Sequence, residues 1–188
     1  EQLSGLRAIP NLNVFRPADR LETIECWEHA LKSSKTPSIL SLTRQNLNPI
    51  RNKYSNTNKC SLGAYEVLRT NKKIKLTILA SGSEVNLAIE ASHKLAKDKI
   101  YSKVISVPCM ELFDSQTGNY KNKILNETKL KISIEAGSRD CWKKYVGDFG
   151  MNFGIDVFGK SAPYKDIYKY FRLIPSYIVG KIKKEINK

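Results

Sequence analysis

Apolar and polar positions alternate in short runs along most of the chain, and the runs read as strands and helices in turn. Leu12, Val14 and Phe15 make a brief apolar strand that Pro17 breaks, because proline cannot donate to a ladder. Asp19 followed by Glu22 has the spacing of a capping box, in which each carboxylate satisfies an orphan amide at a helix start. Leu21, Ile24, Trp27 (or Glu28) and Leu31 recur at helical spacing and predict one apolar stripe. That helix should end near Ser33 or Ser34, ahead of Pro37, with a strand over Ser38 to Leu42. The crossover is long enough for the two strands to pair in parallel. Glu1 to Ile9 reads as the end of a helix or a turn.

From Asn46 to Ser61 the pattern fails. Asn48-Pro49, Asn52, Ser55, Asn56, Thr57 and Asn58 form a polar stretch without periodicity, the composition of an exposed linker. Alternation then resumes. Ala64 to Leu68 reads as an edge strand and Lys73 to Ala80 as a strand ending at Ser81-Gly82-Ser83-Glu84, where Ser81 and Glu84 again have capping-box spacing. Val85, Ala88, Ile89, Leu95 and Ala96 line one helical face. Further strands are expected over Lys103 to Val107, Leu130 to Ile134 and Met151 to Phe158. Helices are expected over Phe113 to Leu125, Tyr164 to Phe171 and Tyr177 to Ile186. Strands alternating with helices predict an α/β fold: a largely parallel sheet flanked by helices on both faces.

Composition narrows the classes. At 188 residues, with 41% hydrophobic and 27% charged positions, the chain can bury a real core. No apolar run approaches the ~20 residues that span a bilayer, and the amino terminus carries no signal-peptide pattern. The chain lacks an initiator methionine and opens inside a motif, so it reads as a piece of a longer one. Cys26, Cys60, Cys109 and Cys141 are too scattered for a zinc site or a disulfide framework, and free thiols in a reducing cytosol are expected. The net charge of +14 fits polyanion binding in principle. The lysines are dispersed along the chain with abundant Asn and Ile, however, a bias that A-T-rich coding produces by itself. No nucleic-acid or membrane partner is expected.

One segment stands out for chemistry, SILSLTRQNL from Ser38 to Leu47. A buried strand ends abruptly in Thr43, Arg44, Gln45 and Asn46, and ligands of open α/β sheets sit just beyond carboxyl strand ends. Arg44 offers a planar, permanently charged fork suited to phosphate or carboxylate; bridging to a neighbouring loop is its plainer role. The Ser81–Glu84 turn is either an anion cradle at a helix start or a capped tight turn. Glu135 and Asp140 flank a loop as a possible acid–base pair or as ordinary helix-capping carboxylates. Asp156 reads as a turn or buried acceptor. Tyr164, Lys165, Tyr168, Lys169, Tyr170 and Phe171 fit either base stacking or, through Ile167 and Phe171, an amphipathic helix on the sheet. His29 and His93 read as surface or half-buried side chains without a second ligand.

Six segments in one order carry a resemblance: NLNVFRPAD (Asn11 to Asp19), SLTRQNL, ILASGSEV (Ile78 to Val85), SIEAGS (Ser133 to Ser138), WKKYVG (Trp142 to Gly147) and GIDVFGKSAP (Gly154 to Pro163). Together they resemble the carboxyl-terminal portion of transketolase, the thiamine-diphosphate enzyme of the pentose phosphate pathway, over nearly the whole chain. The resemblance implies that residues 1–50 are the last part of a pyrimidine-binding domain, a partial α/β domain. Residues 51–61 are then a linker and 62–188 the family's C-terminal domain. It implies that Arg44 binds the phosphate of a sugar-phosphate substrate, with Thr43 keeping the hydroxyl of the usual serine. It implies a cytoplasmic homodimer that moves a two-carbon ketol unit, using thiamine diphosphate and Mg2+ or Ca2+. The diphosphate site, the activating glutamate and the channel histidines of the family have no counterpart in this chain. No catalytic residue and no bound cofactor or metal are therefore expected of it alone. Lys160, after the GIDVFG motif, and the Lys-rich tail from Lys181 depart from the family pattern. Two alternatives stay open: a related thiamine-diphosphate enzyme (deoxyxylulose-phosphate synthase or a 2-oxoacid dehydrogenase subunit), and a stand-alone basic interaction module.

Overall fold

The computed structural model describes residues 1–51 and 55–186, so Asn52 of the expected linker and the end of the Lys-rich tail lie outside the described residues. A short helix, α1 (Gln2–Arg7), leads into β1 (Asn13–Phe15), α2 (Arg20–Lys32) and β2 (Ser38–Leu40). β1 and β2 pair in parallel with Val14 opposite Ile39, the strand–helix–strand unit that the pattern predicts. Asp19 caps α2 by accepting the Glu22 amide at 2.8 Å, and the helix closes at Ser33. The return half of the box is displaced by one residue, since Glu22 accepts from the Ala18 amide at 2.7 Å.

The apolar stripe expected on α2 faces outward: Ile24 is 58%, Trp27 48% and Leu31 78% exposed. The face turned inward carries Glu22, Glu25 and Cys26. Periodicity locates an apolar face but does not say which surface covers it. Here polar partners recruit the other face: Arg51 pairs with Glu25 at 2.8 Å, and the Lys59 and Cys60 amides donate to the same carboxylate. The described ends of the polar stretch are thereby tied to α2, and Cys60 is fully buried.

The second unit is a five-stranded sheet in the order β3-β5-β4-β6-β7, made of β3 (Tyr65–Arg69), β4 (Leu76–Ala80), β5 (Ser102–Ser106), β6 (Leu130–Ile134) and β7 (Met151–Phe153). All pairings are parallel except β3 with β5, so the edge strand is the antiparallel one. Side chains alternate across the sheet. Leu76, Ile78, Ala80, Ile132 and Ile134 meet α3 (Glu84–Lys97) and α8 (Pro175–Ile186) on one face. Leu79 and Ile105 meet α4 (Met110–Asp114), α5 (Gly118–Leu125) and α6 (Lys143–Val146) on the other. The single helix expected over Phe113 to Leu125 is thus two, because Thr117 accepts the Tyr120 amide and starts a new helix. The strand expected to Phe158 stops at Phe153. The remaining helix, α7 (Tyr164–Tyr170), packs on the core through Tyr168, followed by Phe171.

The capping box expected at Ser81 and Glu84 is absent. α3 starts without a side-chain cap, and the Ser81 hydroxyl is buried without a partner among the described residues. Glu84 instead turns toward the first unit. Its Oε2 accepts from Arg16 at 3.0 Å and from the Ala136 amide at 2.9 Å. The same Arg16 nitrogen donates to Glu135 at 3.0 Å, Arg7 grips Glu135 with two bonds of 2.8 Å, and Trp142 Nε1 donates to it at 2.7 Å. Gly82, at φ +60°, allows this approach: a Cβ there would lie 3.0 Å from the Arg16 guanidinium carbon. Two arginines and two glutamates therefore close a buried joint between residues 1–50 and the larger sheet. Removing one charge from such a group leaves the others uncompensated. Glu135→Gln should lower the unfolding free energy by about 3–5 kcal/mol, read as a drop in the urea midpoint; a loss under about 1 kcal/mol would mean that the joint is not what secures the fold.

Candidate functional site

Beyond the carboxyl ends of β1 and β2 lies a cavity of about 280 Å³, between residues 17–23 and the loop 42–47. This is where open parallel sheets place their ligands. Pro17 ends β1 and forces the chain outward, and the strand pair supplies one wall-forming segment from each carboxyl end. Asp19 lines the cavity while both of its oxygens are engaged, one by the Glu22 amide and the other by the Ile50 amide at 2.9 Å. Its carboxylate is therefore rigid.

Arg44 sits four residues past Leu40, the last residue of β2, and is exposed. Its neighbours Thr43 and Gln45 line the cavity, and Thr43 Oγ1 accepts the Gln45 amide at 3.2 Å, shaping the turn that presents it. Among the described residues Arg44 has no hydrogen bond or ion pair, unlike Arg7, Arg16 and Arg51. The bridging role is accordingly not the one it plays within these residues. Gln45 Nε2 donates to the Tyr168 hydroxyl at 3.2 Å, which links the loop to α7.

Glu22 is fully buried and makes no ion pair among the described residues. Its Oε1 accepts from Tyr65 at 2.7 Å and Ser106 at 2.6 Å. Burial pushes its carboxyl up to about 7, against the pull of those hydrogen bonds and the Ala18 amide. Burial works the same way on Glu135, but there the charge of Arg7 leads a set of partners, Arg16 and Trp142 among them, that outweighs it. They hold that carboxyl down at about 2.

The other residues singled out in the sequence are scattered into structural roles. The Ser81–Glu84 turn faces a guanidinium, so a cation fills the place where an anion cradle would hold its ligand. Glu135 and Asp140 are not brought together: Glu135 is buried in the joint, neither loop-exposed nor capping a helix, while Asp140 pairs with Lys143 at 2.7 Å on the surface. Asp156 accepts from the Arg139 amide at 2.9 Å and from its side chain. His29 tilts against Phe15 with centroids 5.7 Å apart, and His93 is exposed. Lys160 lies over the Tyr170 ring at 5.1 Å. Cys26, Cys60, Cys109 and Cys141 are free thiols, the first three buried. Among the described residues no helix is long and apolar enough to cross a membrane. Sequence reasoning gave Arg7 and Arg16 no role of their own, and it read Tyr168 only as one of the aromatics of a stacking or packing segment. Only Arg16 carried a signal, as a charged residue directly after an apolar strand.

A crevice at the ends of a parallel strand pair, locked to an α/β sheet with one antiparallel edge, defines a two-part α/β protein. Residues 63–174 match the model of the transketolase-like C-terminal domain, and residues 1–49 match that of the transketolase pyrimidine-binding domain. The transketolase of Sinorhizobium medicae is 44% identical over 181 residues, covering 96% of this chain and 26% of that protein. That of Bacillus subtilis is 43% identical over 195 residues, covering 100% and 29%. The crystal structure of Pichia stipitis transketolase in complex with sedoheptulose 7-phosphate superposes with a TM-score of 0.89 at 36% identity, covering 98% of this chain and 26% of that one. The chain belongs to the transketolase family. It is a partial transketolase, spanning between a quarter and a third of the length of these curated relatives.

The two shifted carboxyls give opposite pH dependences. Glu22 is raised in the folded state from 4.5 to about 7, so between those values the folded chain holds the extra proton and stability falls as pH rises. Glu135 is depressed, so its contribution is complete above 4.5 and lost as pH falls toward about 2. Urea unfolding at pH 5 and pH 8 should show the wild-type chain losing about 3 kcal/mol more than Glu22→Gln across that interval. Equal losses in the two proteins would place the Glu22 carboxyl at an ordinary value.

Proposed function

We propose that this chain serves in a transketolase that moves a two-carbon ketol unit from ketose phosphates to aldose phosphates, with Arg44 binding the substrate phosphate. The observation that carries the reading is an exposed guanidinium without a partner among the described residues, presented on a loop beside a cavity at carboxyl strand ends. A guanidinium meets a phosphate dianion with two parallel hydrogen bonds. The sugar phosphate held by the Pichia stipitis relative supports this choice of ligand. Residues 1–50 then form the last part of the pyrimidine-binding domain, 51–61 a connection, and 62–188 the C-terminal domain. The working enzyme is a cytoplasmic homodimer.

Thiamine diphosphate, held with Mg2+ or Ca2+, supplies the carbanion chemistry of such an enzyme when bound. Among the described residues, no three His, Cys, Asp or Glu side chains converge to hold a metal ion, so the groups present here do not fit that site. This chain's own contribution is to bind and orient the phosphorylated end of the sugar. Alone it should be inactive, and calorimetric titration with thiamine diphosphate and magnesium should show no saturable binding at micromolar cofactor; a saturable isotherm would overturn that expectation.

The test of Arg44 uses the complete enzyme that carries this chain. A charge-assisted pair contributes roughly 1.5–3 kcal/mol, so Arg44→Ala should raise KM for a phosphorylated sugar by about ten- to a hundredfold. Kinetics with hydroxypyruvate, which has no phosphate, should change little. Equal damage to both substrates would make Arg44 structural.

A further inference from the structure

The loop that presents Arg44 is tethered from outside its own unit. Ser41 donates to the Phe15 carbonyl at 2.8 Å and Ile50 donates to Asp19, which fix the two ends of the loop within residues 1–50. Between those ends, the described side-chain bonds that reach out of the loop come from two residues of the larger domain. Asn86 Nδ2 donates to the Asn48 carbonyl at 3.1 Å, and the Tyr168 hydroxyl meets Gln45 Nε2 at 3.2 Å. Gln45 directly follows Arg44.

The protons fix the direction of the Tyr168 contacts. A phenol has one hydrogen to give, and it goes to Glu84 Oε1, which as a carboxylate can only accept. Toward Gln45 the same oxygen therefore accepts. Glu84 is itself immobile, held by Arg16, the Ala136 amide and the Ser83 hydroxyl at 2.6 Å. A continuous chain of bonds thus runs from the buried joint through Glu84 and Tyr168 to the residue beside Arg44.

We propose that Tyr168 is a positioning residue for substrate phosphate: by accepting from Gln45 it holds the 42–47 loop where Arg44 meets the phosphate, so that the C-terminal domain sets affinity for phosphorylated sugars. The proposal rests on the phosphate-binding role of Arg44. Tyr168→Phe removes one oxygen and keeps the ring that packs on the core. Gln45→Leu removes the same bond from the other side.

Both variants are measured in the complete enzyme carrying this chain, alone and combined with Arg44→Ala. Losing one neutral hydrogen bond at the loop should raise KM for fructose 6-phosphate about three- to tenfold with kcat nearly unchanged. Hydroxypyruvate kinetics should stay level. In the Arg44→Ala background Tyr168→Phe should add nothing, because its effect passes through Arg44. Amide hydrogen exchange should quicken at residues 43–47 and remain unchanged in β4 and β6, which separates loop release from general loosening. A phosphate-selective loss in Arg44→Ala without one in Tyr168→Phe would overturn the positioning role alone. A Tyr168→Phe effect that multiplies with that of Arg44→Ala, or that falls equally on hydroxypyruvate, would overturn it as well. No phosphate-selective loss in Arg44→Ala would remove the underlying assignment and this proposal with it.

Discussion

Four charges sealed from water decide how this chain is arranged. Arg7 and Arg16 approach from the small amino-terminal unit, Glu84 and Glu135 from the ends of strands β4 and β6 in the larger one, and their side chains are almost wholly buried. Two positive and two negative groups balance, which is the condition for burying any of them. The geometry is also saturated. Arg16 bridges both carboxylates, Trp142 and the Ala136 amide fill remaining acceptor sites, and a glycine beside the guanidinium leaves room for it. Ion pairs of this kind specify orientation more than they add stability. The crevice at the ends of β1 and β2 is held in register with the larger sheet by that specification.

The strands and most helices were legible in the amino-acid pattern because their cause is local. Pro17, the Asp19 cap and the length between Phe15 and Ser38 are enough to predict a parallel β–α–β unit, and the apolar run that closes Lys73 to Ala80 is enough for a strand, which the structure buries on both faces. What the pattern could not give were partners distant in sequence. Glu84 looks like a helix cap because capping spacing is three residues; its actual partner Arg16 is 68 residues away. Glu135 looks like a loop carboxylate because it follows a strand and precedes Ala136-Gly137-Ser138, and its neighbours Lys131 and Arg139 are not the cations that hold it. Its arginines lie 128 and 119 residues upstream. The outward stripe of α2 misled for the opposite reason. Ile24, Trp27 and Leu31 do form one face, and the local signal was correct about the face while silent on what lies against it.

The site divides along the same line. Arg44 could be singled out from an apolar run ending in polar residues, and the structure puts it beside a cavity at strand ends. Tyr168 could not, since it sits in a lysine-rich aromatic segment whose periodicity speaks only of packing, and its contact with Gln45 spans 123 residues. The family likeness adds identity to the segments without supplying these contacts, which exist only once the two units are docked.

Among the described residues the small sheet has two strands of three residues each, too little surface to hold itself together in water. Its outer ladder positions are completed from the other unit: Arg16 donates to the Pro108 carbonyl and Val14 to Glu111. The larger sheet carries its own two-faced core and has no such debt. Loosening the contact between the two units would leave the Arg16 and Val14 amides without their acceptors, so the small sheet keeps its shape only while the larger one is docked against it.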